Sequence, residues 1–266
     1  MRRSHTTGCL PERGVMMNIQ VHRVEYKEVE AMRELYRQEA NCQIRRDSAL
    51  SRGLADPYMI VVEGRRAGYG AVLNRYDVGR LTEFYTLPHV RSSALPLFRE
   101  LLAVSQATEI EAQTNIPWML TMLYDCATDI AQESILFQDA FVTQLACPDG
   151  VFRRATPEDA GAIFPHHHEP VGEWIIEAKG AAVATGGFLC HYNPPYGDVF
   201  MEVWEPARRQ GFGSYLVQEV KRVCYEAGKK PAARCNPTNV ASRRTLQKAG
   251  FLPCGRLLVG KVGPSA

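Results

Sequence analysis

The chain has 266 residues, 45% hydrophobic and 23% charged, enough to bury a full core as one large domain or two small ones. Its 31 basic and 29 acidic residues leave a formal charge of +2, which supplies no global attraction to nucleic acid or to a membrane surface. No apolar run approaches a membrane span. The eight cysteines form no C-x-x-C pair and no zinc-ligand spacing, so reduced thiols, a cytoplasmic location and no metal are expected.

Residues 1–16 have a basic start without an apolar stretch and read as a disordered tail or an upstream start ahead of Met16 or Met17. Within 17–146, YMIVVEGRRAGYGAVL (58–73) is a β-hairpin pattern, LTEFYTLP (81–88) is a further strand, and EIEAQTN ends at Asn115. CPDGV (147–151) has the composition of a linker. The remainder, 151–266, opens with a short strand and a helix start, where Thr156 as cap precedes Pro157, Glu158 and Asp159. His166, His167 and His168 are consecutive and cannot all face one ion, so they read as a solvated loop. WIIEA (174–178) and AAVATGGFLCHY (181–192) form a hairpin about Lys179 and Gly180, and VFMEVW (199–204) is the next strand. After the stretch EPARRQGFGSYL a helix runs to about Glu226, followed by strand PAARC (231–235) and a helix from Val240 to Ala249 with Gly250 as its cap. FLPCGRLLVGKV is the last strand, so this half reads as mixed α/β with a largely antiparallel sheet.

EPARRQGFGSYL (205–216) carries the chemistry. A strand that ends in a glycine-containing turn and opens a helix aims several backbone N–H groups and the positive helix end at one spot, which is an anion site. Known phosphate loops do not match: one pattern needs a lysine after its second glycine, where this chain has Ser214, and the dinucleotide fingerprint needs a glycine where it has Leu216. R-x-x-G-x-G does fit, with Arg208, Gly211 and Gly213 directly after the strand. The plain alternative is a turn that packs helix on strand.

With Asn239 followed twelve residues on by Phe251 as a second signature, residues 151–262 resemble a GCN5-related N-acetyltransferase (GNAT) domain. The resemblance implies that the loop Arg208, Arg209, Gln210, Gly211, Phe212, Gly213 and Ser214 binds the pyrophosphate of acetyl-CoA through main-chain amides. It also implies that Asn239 and Ser242 lie at the coenzyme and that the Val203 backbone meets the pantetheine arm. Asn239 equally reads as a helix N-cap, and Arg243, Arg244 and Lys248 as an exposed helix face. The activity implied is direct transfer of an acetyl group from acetyl-CoA to a primary amine of a small molecule or peptide, without a metal. The alternative is a coenzyme-binding, non-catalytic regulatory or interaction module.

Alternation on VFMEVW puts Phe200, Glu202 and Trp204 on one face and Met201, Val203 and Glu205 on the other. The family's base commonly projects from this strand, so Glu202 is the candidate general base, with a structural ion-pair role as its alternative. Leu246 stands where family members often carry the tyrosine that protonates the leaving thiolate; Tyr192, Tyr196 and Tyr215 are candidates to replace it.

Residues 17–146 repeat the second half. The hairpin 58–73 matches 174–189, LTEFYTLP matches VFMEVWEP at an offset of 118, and Asn115 matches Asn239 at an offset of 124. The expected architecture is therefore two GNAT-like domains, each a mostly antiparallel twisted sheet flanked by helices. In place of the glycine loop the first half has VRSSALPLF (90–98), with no glycine and with Pro96, which lacks an N–H. This half is expected to bind no coenzyme and to cover the acceptor cleft or build a homodimer surface.

Overall fold

A computed structural model of the chain describes residues 17–161 and 172–264. The tail at 1–16 and the histidine run at 166–168 lie outside the described residues. In the first half the order is β1 (Ile19–Arg23), α1 (Tyr26–Glu39), α2 (Ser48–Ser51), β2 (Ala55–Val62), β3 (Arg65–Leu73), β4 (Arg80–Thr86), a 3-10 turn (Pro88–Ser93), α3 (Ala94–Ser105), β5 (Glu109–Gln113), α4 (Pro117–Cys126) and β6 (Ala127–Asp139). In the second half it is β7 (Val151–Arg154), a 3-10 turn (Pro157–Gly161), β8 (Trp174–Ala178), β9 (Ala181–Leu189), β10 (Tyr196–Val203), a 3-10 turn (Glu205–Ala207), α5 (Phe212–Glu226), β11 (Lys230–Cys235), α6 (Val240–Lys248) and β12 (Phe251–Val262).

Local chemistry accounts for these elements. In α1, Val29, Met32 and Tyr36 recur at helical spacing and are buried, and Glu25 with Glu28 closes a capping box. In α5, Leu216, Val217, Val220 and Cys224 form the equivalent buried stripe. The helix expected after Thr156 is, within the described residues, a single 3-10 turn. There the Asp159 carboxylate accepts from the Thr156 N–H at 2.7 Å and from Arg153 at 2.7 and 2.8 Å, a tight local knot that ties the turn to β7.

The twelve strands form one sheet in the order β1-β2-β3-β4-β5-β12-β6-β11-β10-β9-β8-β7. The two halves exchange their last strands. β12 pairs with β5 of the first half, β6 pairs with β11 of the second, and β6 and β12 run antiparallel to each other at the centre. Side chains follow the exchange. Along β6, Ala127 and Ile130 pack on the first core, whereas Ile135 and Phe137 belong to the second. Along β12, Phe251 belongs to the second core, whereas Leu258 and Val262 pack on the first.

Antiparallel strands at the centre relate the halves by a rotation about an axis normal to the sheet, which leaves each face common to both. Phe84 packs on Phe98 of α3, with centroids 4.9 Å apart, while its neighbour Tyr85 faces Tyr36 of α1 at 6.1 Å. Hence α1 and α2 lie on one face, and α3 to α6 on the other. After β6 the chain crosses α5. The buried Lys221 ammonium donates to the Phe141 and Ala249 carbonyls, both at 2.9 Å, and pairs with Asp139 at 2.7 Å. Gln218 bonds both the N–H and the carbonyl of Leu145.

Two parallel pairings are short. β4 meets β5 only at Arg80–Leu81, and β10 meets β11 only at Tyr196–Asp198. Beyond these residues the strands part, leaving one wedge-shaped gap in each half.

Residues 147–264 expressed alone lack β6, which leaves β11 and β12 with unpaired edges. We expect this fragment to aggregate or associate on size-exclusion chromatography. A fragment starting at residue 127 restores β6 between β11 and β12 and the second core, and should unfold cooperatively. A monomeric, cooperatively unfolding 147–264 fragment would contradict the exchange as the source of the sheet's integrity.

Candidate active site

The two glycines of the loop have separate reasons. Gly211 is the N-cap of α5 at φ 94, in the left-handed region where only glycine is unstrained, and a Cβ there would point into open space. Gly213 lies against the sheet: a Cβ would stand 3.1 Å from Val203 Cγ2 and 3.4 Å from Met201 Cε and Thr245 Cγ2. The missing side chain lets α5 pack tightly on β10 and α6. The turn is therefore a packing device as well as a candidate anion site. Tyr215 N–H to the Gly211 carbonyl, at 3.1 Å, is the first bond of the helix, so the N–H groups of Phe212, Gly213 and Ser214 precede the ladder.

The side chains of the loop are arranged around its own backbone. Arg208 Nε donates to the Val203 carbonyl at 3.2 Å, Gln210 Nε2 to the Pro206 carbonyl at 3.3 Å, and Ser214 Oγ to the Gly211 carbonyl at 3.2 Å. Arg209 is exposed with φ 66. Asn239 caps α6, its Oδ1 accepting from the Ser242 N–H at 3.0 Å, so the N-cap reading of this residue holds. Arg243, Arg244 and Lys248 are exposed on α6.

The gap beside β10 adjoins this loop. Trp204 N–H bonds back to Val183 on the β9 side, so by alternation the N–H and C=O groups of Met201 and Val203 point into the gap. The Val203 carbonyl is taken by Arg208; the Met201 backbone groups have no partner among the described residues. Met201 is a gap-lining position that motif reading did not single out.

The first half shows the same construction, closed. Arg91 Nε donates to the Thr86 carbonyl at 3.2 Å, the counterpart of Arg208 on Val203. The strand ends thus correspond at an offset of 117, whereas the helix N-caps Ser93 and Gly211 keep the 118 expected from sequence, because the second loop holds one extra residue. Trp118 of α4 donates Nε1–H to the Phe84 carbonyl at 3.2 Å, and its ring meets Tyr36 of α1 at 6.4 Å, so the indole bridges the gap from one face to the other. Arg91 stacks on Tyr85 and Trp118 and pairs with Glu39 at 2.7 Å.

Glu202 is half-buried in β10, in register with the buried Thr185 of β9, on the face of α1 and α2. Thr185 Oγ1 accepts from the Gly172 N–H at 3.0 Å, so the chain next to the 162–171 segment returns onto the sheet beside Glu202. Leu246 is buried among the residues of the second core, which makes it a packing residue. Of the three tyrosines considered, Tyr215 packs on the second core and Tyr196 lies under Lys230. Tyr192 is buried beside Arg234, whose guanidinium is 5.0 Å from its ring, and burial together with Asp198 pushes its hydroxyl up to about 12.

Residues 137–251 match the acetyltransferase (GNAT) family model, which starts within β6 and ends as β12 begins. No curated protein matches the chain. Solved structures with a similar fold include a GNAT-family acetyltransferase from Colwellia psychrerythraea, 16% identical with a TM-score of 0.75, covering 92% of this chain and 100% of that one. A tandem GNAT protein from the clavulanic acid biosynthesis pathway is 12% identical with a TM-score of 0.59, over 94% of this chain and 100% of that one. A GCN5-related N-acetyltransferase from Sphaerobacter thermophilus is 16% identical with a TM-score of 0.55, over 96% and 98%. Among the described residues, no helix is long and apolar enough to cross a membrane and no cluster of metal-ligating side chains occurs. Residues 137–251 thus match the acetyltransferase (GNAT) family model, within a fold that the chain shares over nearly its whole length with GNAT proteins, a tandem one among them.

Proposed function

We propose that the second half transfers an acetyl group from acetyl-CoA to a primary amine in a ternary complex. One observation carries the reading: the open edge of β10 at Met201 and Val203 lies directly beside the glycine loop and the N-terminus of α5. Backbone N–H groups of Phe212, Gly213 and Ser214 suit a pyrophosphate, and the gap edge suits an amide-bearing arm. Acetyl-CoA supplies the activated thioester.

The chain's own residues do the rest. Glu202, on the face opposite α5, takes the amine's proton directly or through a water, so that the neutral nitrogen forms its bond to the acetyl carbon as the carbon–sulfur bond breaks. Coenzyme A leaves as a thiolate, which its thiol acidity permits without a dedicated acid. The first half binds no coenzyme, because the Trp118 indole occupies its gap and takes the Phe84 carbonyl, whereas the Met201 edge of the second half stays open. Burial of Leu246 favours one other reading, a coenzyme-binding module without catalysis. Thiol release from acetyl-CoA in the presence of amines separates the two.

Two outcomes are expected. Gly213→Val pushes α5 off β10 and should weaken acetyl-CoA binding at least tenfold by calorimetry, with the fold intact by circular dichroism; Leu95→Val at the matching helix position of the first half should leave that affinity unchanged. Unchanged affinity in Gly213→Val would remove the loop from the coenzyme site. Glu202→Gln keeps shape but cannot accept a proton, so amine-dependent thiol release should fall by about 10², with acetyl-CoA affinity retained. A near wild-type rate would make Glu202 structural.

A further inference from the structure

Between the halves, on the face of the sheet that carries Glu202, lies a cleft of about 240 Å³. Its wall includes Arg45, Arg46, Arg52 and Arg75 from the first half and His191 and Arg234 from the second, and no acidic residue among the described residues. Five guanidinium groups in one cleft stand out in a chain whose net charge is only +2. From the geometry we infer that this cleft holds an anionic group of the amine acceptor, so that the substrate is an amine that also bears a carboxylate or a phosphate. The inference rests on the acetyl-transfer reading above and names the substrate class for the same site.

The cleft is built. Acids outside the wall hold three of the arginines: Arg45 pairs with Glu111 at 3.2 Å and Glu133 at 2.5 Å, Arg46 with Asp77 at 2.6 Å, and Arg234 with Asp198 at 3.4 Å. The Arg52 and Arg75 side chains are exposed and make no hydrogen bond or ion pair among the described residues. The halves are stitched together beside it, with the Ile44 N–H donating to Asn193 Oδ1 at 2.5 Å and Gln43 Nε2 to the Ala233 carbonyl at 3.3 Å. Like charges gathered in a concave, low-dielectric wall focus a positive potential on whatever enters it. Burial, then Arg52, pushes the His191 imidazole down, against Asp198. Guanidinium forks match carboxylate and phosphate oxygens two at a time.

Position links the cleft to the reaction. Asp198, which holds Arg234, alternates onto the same face as Glu202 four residues along β10, roughly 13 Å at strand rise. The acceptor's amine and its anion are therefore separated by several bonds rather than sharing one carbon.

The test compares matched amines with acetyl-CoA: 6-aminohexanoate against its amide, and 3-aminopropyl phosphate against 3-aminopropanol. Wild-type protein should favour an anionic member at least tenfold in kcat/KM, and Arg52→Gln/Arg75→Gln should lose most of that preference while its Tm stays unchanged. Equal use of charged and neutral members, or a preference kept by the double variant, overturns the inference. If acetyl-CoA binds but no amine is acetylated, the transfer reading has failed and the cleft is judged by calorimetry with inorganic phosphate and with 6-aminohexanoate. Binding of either that weakens tenfold or more in the double variant upholds the anion site; no binding, or binding the variant retains, overturns it.

Discussion

The antiparallel pairing of β6 with β12 holds the molecule together. Each strand starts in the core of its own half and ends in the core of the other, so neither half owns a complete hydrophobic interior. Their pairing also fixes the rotation that puts both gaps on equivalent edges and keeps α1 and α2 on one face of the whole sheet. From this follows the cleft between the halves, because residues 43–54 of the first half can reach the surface of β10 and β11 only if the sheets are continuous.

Given that frame, duplication makes the difference between the gaps informative. Both strands end with an arginine folded back onto a gap-facing carbonyl, at the same spacing and distance. In the first half an indole fills the remainder and an Arg91–Glu39 pair locks it from above. Ala241, Trp118's counterpart at the offset of 123 between the helix N-caps Ile116 and Asn239, has a small side chain, and the glycine loop replaces Ser93 and Leu95 at the helix start. Divergence has closed one gap with side chains and left the other lined with backbone.

Much of this is visible in the residues themselves. The hairpins, β10, β11, the helix after Gly211 and the one after Asn239 follow from alternation, helical spacing and glycine at positive φ, all of which are local signals. The duplicated pattern is equally local. The strand exchange is not, because β6 would pair with either neighbour on its own side-chain pattern; partner choice depends on which core its two ends meet. The plugging by Trp118 escapes for a similar reason, since a tryptophan in PWMLTMLYDC reads as an ordinary core position of α4 until the strand gap beneath it is known. The arginines of the cleft are scattered from position 45 to position 234 and form no motif in the chain.

The central claim is that one gap of the two accepts coenzyme. Isothermal titration of the full chain with acetyl-CoA measures it directly. One molecule bound per chain is the result this account predicts; two bound per chain, or none, would contradict it.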